Sequence, residues 1–254
     1  MLIVLESILW VIRFFFGACI FSFLNVVIDR LPRGESVVNG RSHCTNCGRV
    51  LHAWELIPCV SYIFLRGRCA GCKSRIPGRD FFVEVIGGAA FIGCGIHYGC
   101  GSFGLLSMRG TVMLIYFGIL LVAALIDWDT QIIYDRFHIF ILILAIANIW
   151  LVPEHGLVDR LIGALIISVP MLLLALVIPG AFGGGDIKLF FMTGLYLSSA
   201  WEILFYLILS CLFGLGFASF RKEKRVPFGP AIAAACFIMI LYGEKLTGWY
   251  TGLF

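Results

Sequence analysis

The stretch LIGALIISVPMLLLALVIPGAFGGGD, residues 161–186, contains 25 uncharged residues in succession before the aspartate that ends it. About 20 apolar residues let an α-helix cross the hydrocarbon core of a bilayer, so this stretch predicts a membrane-spanning helix. The whole chain shares its character, because 61% of the 254 residues are hydrophobic and only 13% are charged. A soluble domain of this length cannot bury so much apolar surface, which predicts that the lipid bilayer surrounds part of the protein.

Similar apolar runs recur and predict an all-α, polytopic membrane protein with about eight transmembrane helices. The uncharged runs are 85–108, 110–126, 137–153, 161–185, 203–220 and 226–243, and the run 7–28 is interrupted only by Arg13. The run 189–201 is short and spans only if Ile187 and the stem of Lys188 extend it. The first segment is too long for a removable signal peptide and lacks a small-residue cleavage site.

Basic residues indicate the orientation in the membrane. Nine lie between Asp29 and Asp80, four lie in 221–225, and Arg136 and Lys188 border two further loops. If these loops face one side, that side holds 15 of the 19 basic residues. The asymmetry predicts that they are cytoplasmic and that both termini lie outside. The run 221–225 is explained by topology alone, as a solvated face that binds nothing.

Three segments are predicted along the chain. Residues 1–29 form the first transmembrane helix. Residues 30–80 are the one long polar stretch and are predicted to form a small cytoplasmic domain inserted after that helix. Residues 81–254 are apolar runs joined by short loops, and they predict a membrane-embedded domain.

Two Cys-x-x-Cys pairs in the polar stretch predict a structural metal site. They are Cys44–Cys47 and Cys69–Cys72, with 21 residues between them, slightly more than a zinc ribbon usually has. Four thiolates suit Zn²⁺, and a site with four protein ligands leaves no open position for catalysis. Two alternatives stay open: a pair of disulfides, which needs an oxidising compartment, and a redox dithiol, which does not explain two pairs. The neighbouring His43 and His52 are interpreted as surface residues.

Acidic residues at two predicted membrane borders form the candidate active site. Asp127 follows an apolar run, and Asp186 follows the glycines Gly183, Gly184 and Gly185. Two facing carboxylates share a proton, which lets one act as a base toward water and the other as an acid. The glycines allow a substrate strand to approach closely and permit backbone angles that other residues avoid. Two other interpretations remain open: an acid that caps a helix, and cation binding in an ion-coupled transporter.

Several motifs in order make nearly the whole chain resemble the type IV prepilin peptidase family. Residues 16–32, with Ser22-Phe23-Leu24-Asn25 at their centre, are similar to the opening signature of that family, and the two cysteine pairs follow in the expected order. Its catalytic motifs, Asp-x5-Ile-Pro-Asp and Gly-x-Gly-Asp, fall on Asp127 and Asp186. Residues 227–230, Pro-Phe-Gly-Pro, match the entry to the last helix of the family. The chain departs from the pattern at Tyr134, where the first catalytic motif usually has proline, and this departure puts the geometry of that loop in doubt.

The resemblance implies an aspartic endopeptidase of the bacterial inner membrane with its active site on the cytoplasmic side. Members remove the basic, glycine-ending leader of prepilins and pseudopilins, and many methylate the new N-terminus with S-adenosylmethionine. The chain has no Rossmann-type methyl-donor motif, so this second activity rests on the resemblance alone, and no nucleic-acid partner is expected. The rivals are the ion-coupled transporter, a non-catalytic anchor that displays a zinc module, and a presenilin-like protease, whose Pro-Ala-Leu motif is absent.

Overall fold

A computed structural model describes residues 2–100, 105–152, 156–220 and 226–252. The described residues form helices joined by loops, with three isolated β-bridges and no longer strand among them, which confirms the all-α prediction. The helices are α1 (Leu2–Arg30), α2 (Val60–Phe64), α3 (Gly78–Tyr98), α4 (Met108–Thr130), α5 (Asp135–Leu151), α6 (Leu157–Val177), α7 (Gly184–Gly194), α8 (Ala200–Phe220) and α9 (Gly229–Thr251), with a short 3₁₀ helix at Ala53–Leu56.

Six of the described helices are long and apolar enough to cross a membrane, fewer than the eight expected. They are α1, α3, α4, α6, α8 and α9. The other two predicted spans are α5, with 17 residues, and α7, with 11. The predicted run 85–108 is also shifted, because α3 begins at Gly78, directly after Pro77, and ends at Tyr98. The basic run 221–225 lies outside the described residues.

The chain divides into two compact units, the first of which is Met1–Leu114. Its membrane part is the pair α1 and α3, which approach closely where Gly17 faces Gly87. A Cβ on Gly17 would lie 2.4 Å from the Gly87 carbonyl oxygen, so only a hydrogen fits there. Such small-residue contacts let helices associate in lipid, where apolar burial drives no association. The loops between α1 and α3 carry both cysteine pairs.

The second unit, Ile115–Phe254, contains a similar close approach between α6 and α7. A Cβ on Gly163 would lie 2.5 Å from the Gly194 carbonyl oxygen, and a Cβ on Gly194 would lie 2.5 Å from the Gly163 oxygen. The last residue of α7 therefore lies beside the second turn of α6, and the start of α7 lies near the opposite end of α6.

Arg160, in the first turn of α6, connects the C-terminal ends of α5 and α7. Arg160 is only 2% exposed. Its guanidinium donates to the carbonyl of Val152 at 3.0 Å and to the carbonyl of Leu195 at 3.3 Å, the residues that directly follow α5 and α7. A cation at two helix C-termini satisfies carbonyls that have no intrahelical partner. Although α5 and α7 are short, both thus reach the end of the unit where α6 begins.

Candidate active site and metal centre

Asp127 lies in the last turn of α4 and is only 5% exposed. Its Oδ2 accepts a hydrogen bond of 3.0 Å from the backbone N–H of Gly229, the first residue of α9. The first N–H groups of a helix have no intrahelical acceptor, and a carboxylate there is stabilised by the helix dipole. The start of α9 therefore holds one oxygen of Asp127.

Asp186 occupies the first turn of α7, partly buried, on a different helix from Asp127. The two carboxyl groups are close enough for the charge of Asp127 to act on Asp186. Two such groups cannot both ionise at low cost, so a pair of this kind holds one proton between its members over a range of pH. The structure brings together the two aspartates that the sequence selected.

The three glycines before Asp186 act differently from the prediction. None has a positive φ, so the expectation that they adopt angles forbidden to other residues is wrong. A Cβ on Gly183 would lie 2.9 Å from Oδ2 of Asp186, and one on Gly185 would lie 3.2 Å from Cβ of Ile133. A Cβ on Gly184 would meet nothing within 4 Å. Gly183 and Gly185 thus make room for protein atoms, whereas Gly184 leaves open space beside the acid.

The first turn of α5 holds the segment that carries Asp186. The Lys188 ammonium donates to Asp135 at 2.7 Å, and the buried His138 ring places Nε2 at 3.3 Å from the Gly185 carbonyl oxygen. Gly185 and Lys188, which make these two contacts, lie on either side of Asp186 in the sequence. The contacts connect the first turn of α5 to the start of α7, although the two lie about fifty residues apart in sequence.

The other two acids near Asp127 lie in different surroundings. Helix α4 continues to Thr130, so Asp129 and Asp127 point about 200° apart around the helix axis. Asp129 is exposed and Asp135 is paired with Lys188, whereas Asp127 is buried.

Tyr134, the departure from the family pattern, precedes α5 with φ −70° and ψ 135°. Proline fixes φ near −65°, so tyrosine keeps the backbone angle that the usual proline would impose. At Tyr134, therefore, the replacement of proline does not change the backbone conformation of the loop.

The four cysteines predicted to bind metal lie together. Their sulfur atoms are all within 4.8 Å of one another, and the Sγ atoms of Cys44 and Cys72 are 3.8 Å apart. Four sulfurs about 2.3 Å from one ion form a tetrahedron with edges of about 3.8 Å, so the arrangement fits such an ion. All four are free thiols, which excludes the disulfide alternative in this structure. His43 and His52 are exposed and do not belong to the group.

The two cysteine pairs lie in loops of the same backbone design. In the first, the Cys44 N–H donates to the Arg49 carbonyl and the Gly48 N–H to the Cys44 carbonyl, both at 2.9 Å. In the second, the Cys69 N–H donates to the Ser74 carbonyl at 2.9 Å and the Lys73 N–H to the Cys69 carbonyl at 3.1 Å. Gly48 and Lys73 both have positive φ, 70° and 60°. Two matched turns thus present two sulfurs each.

Polar neighbours favour the thiolate form of Cys72 and Cys44, whereas the sulfur atoms of these two residues raise the pKa of Cys47 to about 11. The Ser74 hydroxyl lies 3.0 Å from Sγ of Cys72, and this contact, together with the Ser74 backbone N–H, lowers the pKa of Cys72 to about 5. The backbone N–H groups of Cys47 and Asn46 lower the pKa of Cys44. Arg49 bonds Glu55 at 2.5 Å and also the Cys69 sulfur, and both contacts raise the pKa of Arg49.

Two residues of these sites were not selected from the sequence. Gly229 was noted only as part of a motif, and nothing in the sequence indicates that its N–H meets Asp127. Ser74 follows directly after Lys73 in a polar loop and has no spacing that distinguishes it.

Comparisons with known proteins match each half of the chain to a peptidase family model. Residues 15–98 match the bacterial peptidase A24 N-terminal domain, and residues 114–219 match the type IV leader peptidase family. A prepilin leader peptidase/N-methyltransferase of Bacillus subtilis (strain 168) is 30% identical, over 94% of this chain and 96% of the relative. Another of that description from Pseudomonas aeruginosa is 32% identical, over 92% of this chain and 90% of the relative. No solved structure matches.

Proposed function

The chain belongs to the type IV leader peptidase family, and from that premise we propose that it is a membrane aspartic endopeptidase that removes the basic leader of type IV prepilins and pseudopilins. The observation that carries the proposal is the meeting of Asp127 and Asp186, from the end of one helix and the start of another, within range of each other's charge. Neither acid is needed for a fold of apolar helices, and ionisable groups at a membrane border are costly to keep there.

In the proposed mechanism the two aspartates share one proton and activate a water molecule. The carboxylate accepts a proton from the water as it attacks the scissile carbonyl, while the protonated partner donates to the carbonyl oxygen. The hydrogen bond from the Gly229 N–H holds Oδ2 of Asp127 and so fixes the orientation of that carboxyl group. The open space beside Gly184 offers a place for the substrate backbone, and Gly183 and Gly185 keep the loop close to Asp186.

The tetracysteine group is proposed to hold one Zn²⁺ in a structural role. Cys44, Cys47, Cys69 and Cys72 would fill all four positions, leaving none for water or substrate. Bound zinc would neutralise two of the four thiolate charges, and Arg49 would offset a part of the remainder through its contact with Cys69. The ion would supply folding free energy to loops that bury little apolar surface of their own.

The proposed location is the bacterial inner membrane, with residues 30–80 and the aspartates on the cytoplasmic side. Support comes from the basic residues between Asp29 and Asp80 and from Lys188, which lies two residues after Asp186. In this arrangement residues 1–29 are the first membrane helix, 30–80 the cytoplasmic zinc domain and 81–254 the membrane-embedded peptidase domain. A substrate whose apolar helix enters from the bilayer keeps its charged leader in the cytosol.

Methylation of the new N-terminus with S-adenosylmethionine is proposed as a second activity, because the relatives described above carry it in their names. An ion-coupled transporter would use the same acids, but neither the family nor these relatives support one.

One experiment tests both activities. The purified chain is incubated with a prepilin, with and without S-adenosylmethionine, and the product N-terminus is determined by mass spectrometry. We expect cleavage directly after the leader glycine in both cases and one added methyl group only with the donor. Folded, metal-loaded protein that leaves the prepilin intact would refute the peptidase proposal, and unmethylated product alone would refute the second activity.

A further inference from the structure

A polar seam lies between α1 and α3 in the first unit, and none of the four clustered cysteines belongs to it. We define it by Ser22, Asn25 and Asp29 on α1 and by Arg79, Asp80 and Glu84 on α3. The Ser22 hydroxyl donates to Glu84 at 2.7 Å, the Asn25 amide donates to the Asp80 carbonyl at 3.0 Å, and Arg79 pairs with Asp29. Apolar helices do not need such a row of polar side chains in order to pack.

The seam contains three carboxylates and one guanidinium. Arg79 pairs with two of the carboxylates, Asp29 and Asp80, and the third, Glu84, lies one turn further along α3. Glu84 has both oxygens occupied, by Ser22 and by the Cys59 N–H at 2.7 Å. Asp80 has no such support, since its Oδ1 lies 3.5 Å from the Arg79 guanidinium and makes no hydrogen bond within the described part of the chain.

Asn25 supplies the second, independent observation. Its side chain is only 7% exposed, and its Oδ1 is buried without a hydrogen-bond partner among the described residues. The same amide donates to the Asp80 backbone, so this oxygen lies at the start of α3 beside the acids. An unpaired buried acceptor costs about 1–3 kcal/mol, and such a group indicates that a donor comes from elsewhere.

We propose that the seam is a binding site for a primary ammonium group. An ammonium carries a positive charge and three N–H donors, which match the surplus negative charge and the two unsatisfied oxygens of Asn25 and Asp80. The two oxygens are themselves buried, whereas the side chains of Asp80 and Asp29 are 29% and 40% exposed, so a ligand would enter past these carboxyl groups. A sulfonium or a quaternary ammonium has no N–H and would leave both oxygens unsatisfied.

This inference rests on the proposed function for the identity of the ligand. Three reactants of the proposed cleavage and methylation carry a primary ammonium: the lysine side chain of a basic leader, the new N-terminus of the cleaved substrate, and the amino group of S-adenosylmethionine. The chemistry of recognition is the same for all three, and kinetics separates them.

The test uses the full metal-loaded chain in detergent. The KM is measured for a prepilin with one leader lysine, for a mature pilin with a free N-terminus, and for S-adenosylmethionine. The variants are Asp80→Asn and Asn25→Leu, with Glu35→Gln, an exposed acid of the same unit, as the matched control. Because a charge-assisted hydrogen bond is lost, both seam variants are expected to raise the KM of one reactant by about tenfold or more. The reactant whose KM rises is the one whose ammonium group the seam binds.

A role in stability alone gives a different result. Asn25→Leu removes the unsatisfied Oδ1 and also the N–H that donates to the Asp80 carbonyl, so a lower melting temperature is expected whether or not the seam binds a ligand. A role in stability alone therefore leaves the KM of the folded variant unchanged, whereas the proposed site raises it. Unchanged KM values for all three reactants in both variants would overturn the proposal, as would equal effects of Glu35→Gln. A wild-type chain without any cleavage or methylation would instead refute the proposed function.

Discussion

Gly229 gives a direct way to disturb Asp127 without removing it. In Gly229→Ala the new Cβ would lie 2.7 Å from Oδ2 of Asp127 and 3.1 Å from its Cγ, and ordinary contact begins at 3.4 Å. The carboxyl must therefore retreat by about 0.7 Å or rotate away. Either movement lengthens the 3.0 Å hydrogen bond that the Gly229 N–H donates to the same oxygen.

The size of the effect follows from these two changes. A hydrogen bond to a charged group contributes about 1.5–3 kcal/mol, and a catalytic group misplaced by roughly 1 Å can lose about 100-fold in rate. We expect kcat for prepilin cleavage to fall between about 10-fold and 100-fold, because the carboxyl remains present but is held in the wrong place. Alanine is favoured over glycine in helices, so α9 itself is not weakened by the change.

The matched control is Gly248→Ala, in the same helix, where a Cβ would meet no atom within 4 Å. Cleavage kinetics, melting temperature and metal content are measured for both variants in the same detergent. We expect Gly248→Ala to retain wild-type kinetics and both variants to bind metal. A folded Gly229→Ala protein with unchanged kcat would show that the contact between Asp127 and α9 does not position the catalytic carboxyl.

Three further predictions concern single side chains. Asp127→Asn and Asp186→Asn should each lower cleavage by at least about 100-fold, whereas the exposed Asp129→Asn should keep most of the rate; wild-type cleavage by a folded Asp127→Asn variant would contradict the assignment. Cys69→Ser should reduce the bound zinc, which is expected to be about one ion per chain in the wild type and is measured by atomic emission. It should also increase the protease sensitivity of the loops between α1 and α3. A wild-type domain that is intact without metal would contradict this. Tyr134→Pro should preserve activity and raise stability by up to about 1 kcal/mol, because φ is already −70°; a clear fall in melting temperature would contradict it.

The sequence predicted the features that depend on local pattern. Apolar runs located most of the long helices, and the spacing within Cys-x-x-Cys pairs located the metal ligands, because both signals lie within a few residues. Asp127 was selected by its position at the end of an apolar run, and the structure shows it buried while the nearby Asp129 is exposed.

Features that depend on distant contacts were not predicted. The length of α7 could not be read from an apolar run, because its end is set by Gly163 and Arg160 of the preceding helix. The glycines before Asp186 were explained by backbone angles, but what they provide is room for Asp186 itself and for Ile133, which lies far away in sequence. Gly229 was missed for the same reason, since its partner Asp127 is 102 residues distant.

These distant contacts also explain how an 11-residue helix can position a catalytic group. Isolated helices shorter than about 12–15 residues are marginal in water, so the placement of α7 comes from its neighbours. Its start is held by the first turn of α5, and there the buried His138 is the stronger contact, because an exposed pair such as Asp135–Lys188 contributes at most about 1 kcal/mol. Its end is held by Arg160 of α6, which also donates to the carbonyl that follows α5. Since α5 is connected to the start of α7 directly and to its end through Arg160, the two helices act as one support for Asp186, and changes in the loop between Asp127 and α5 reach that acid through His138.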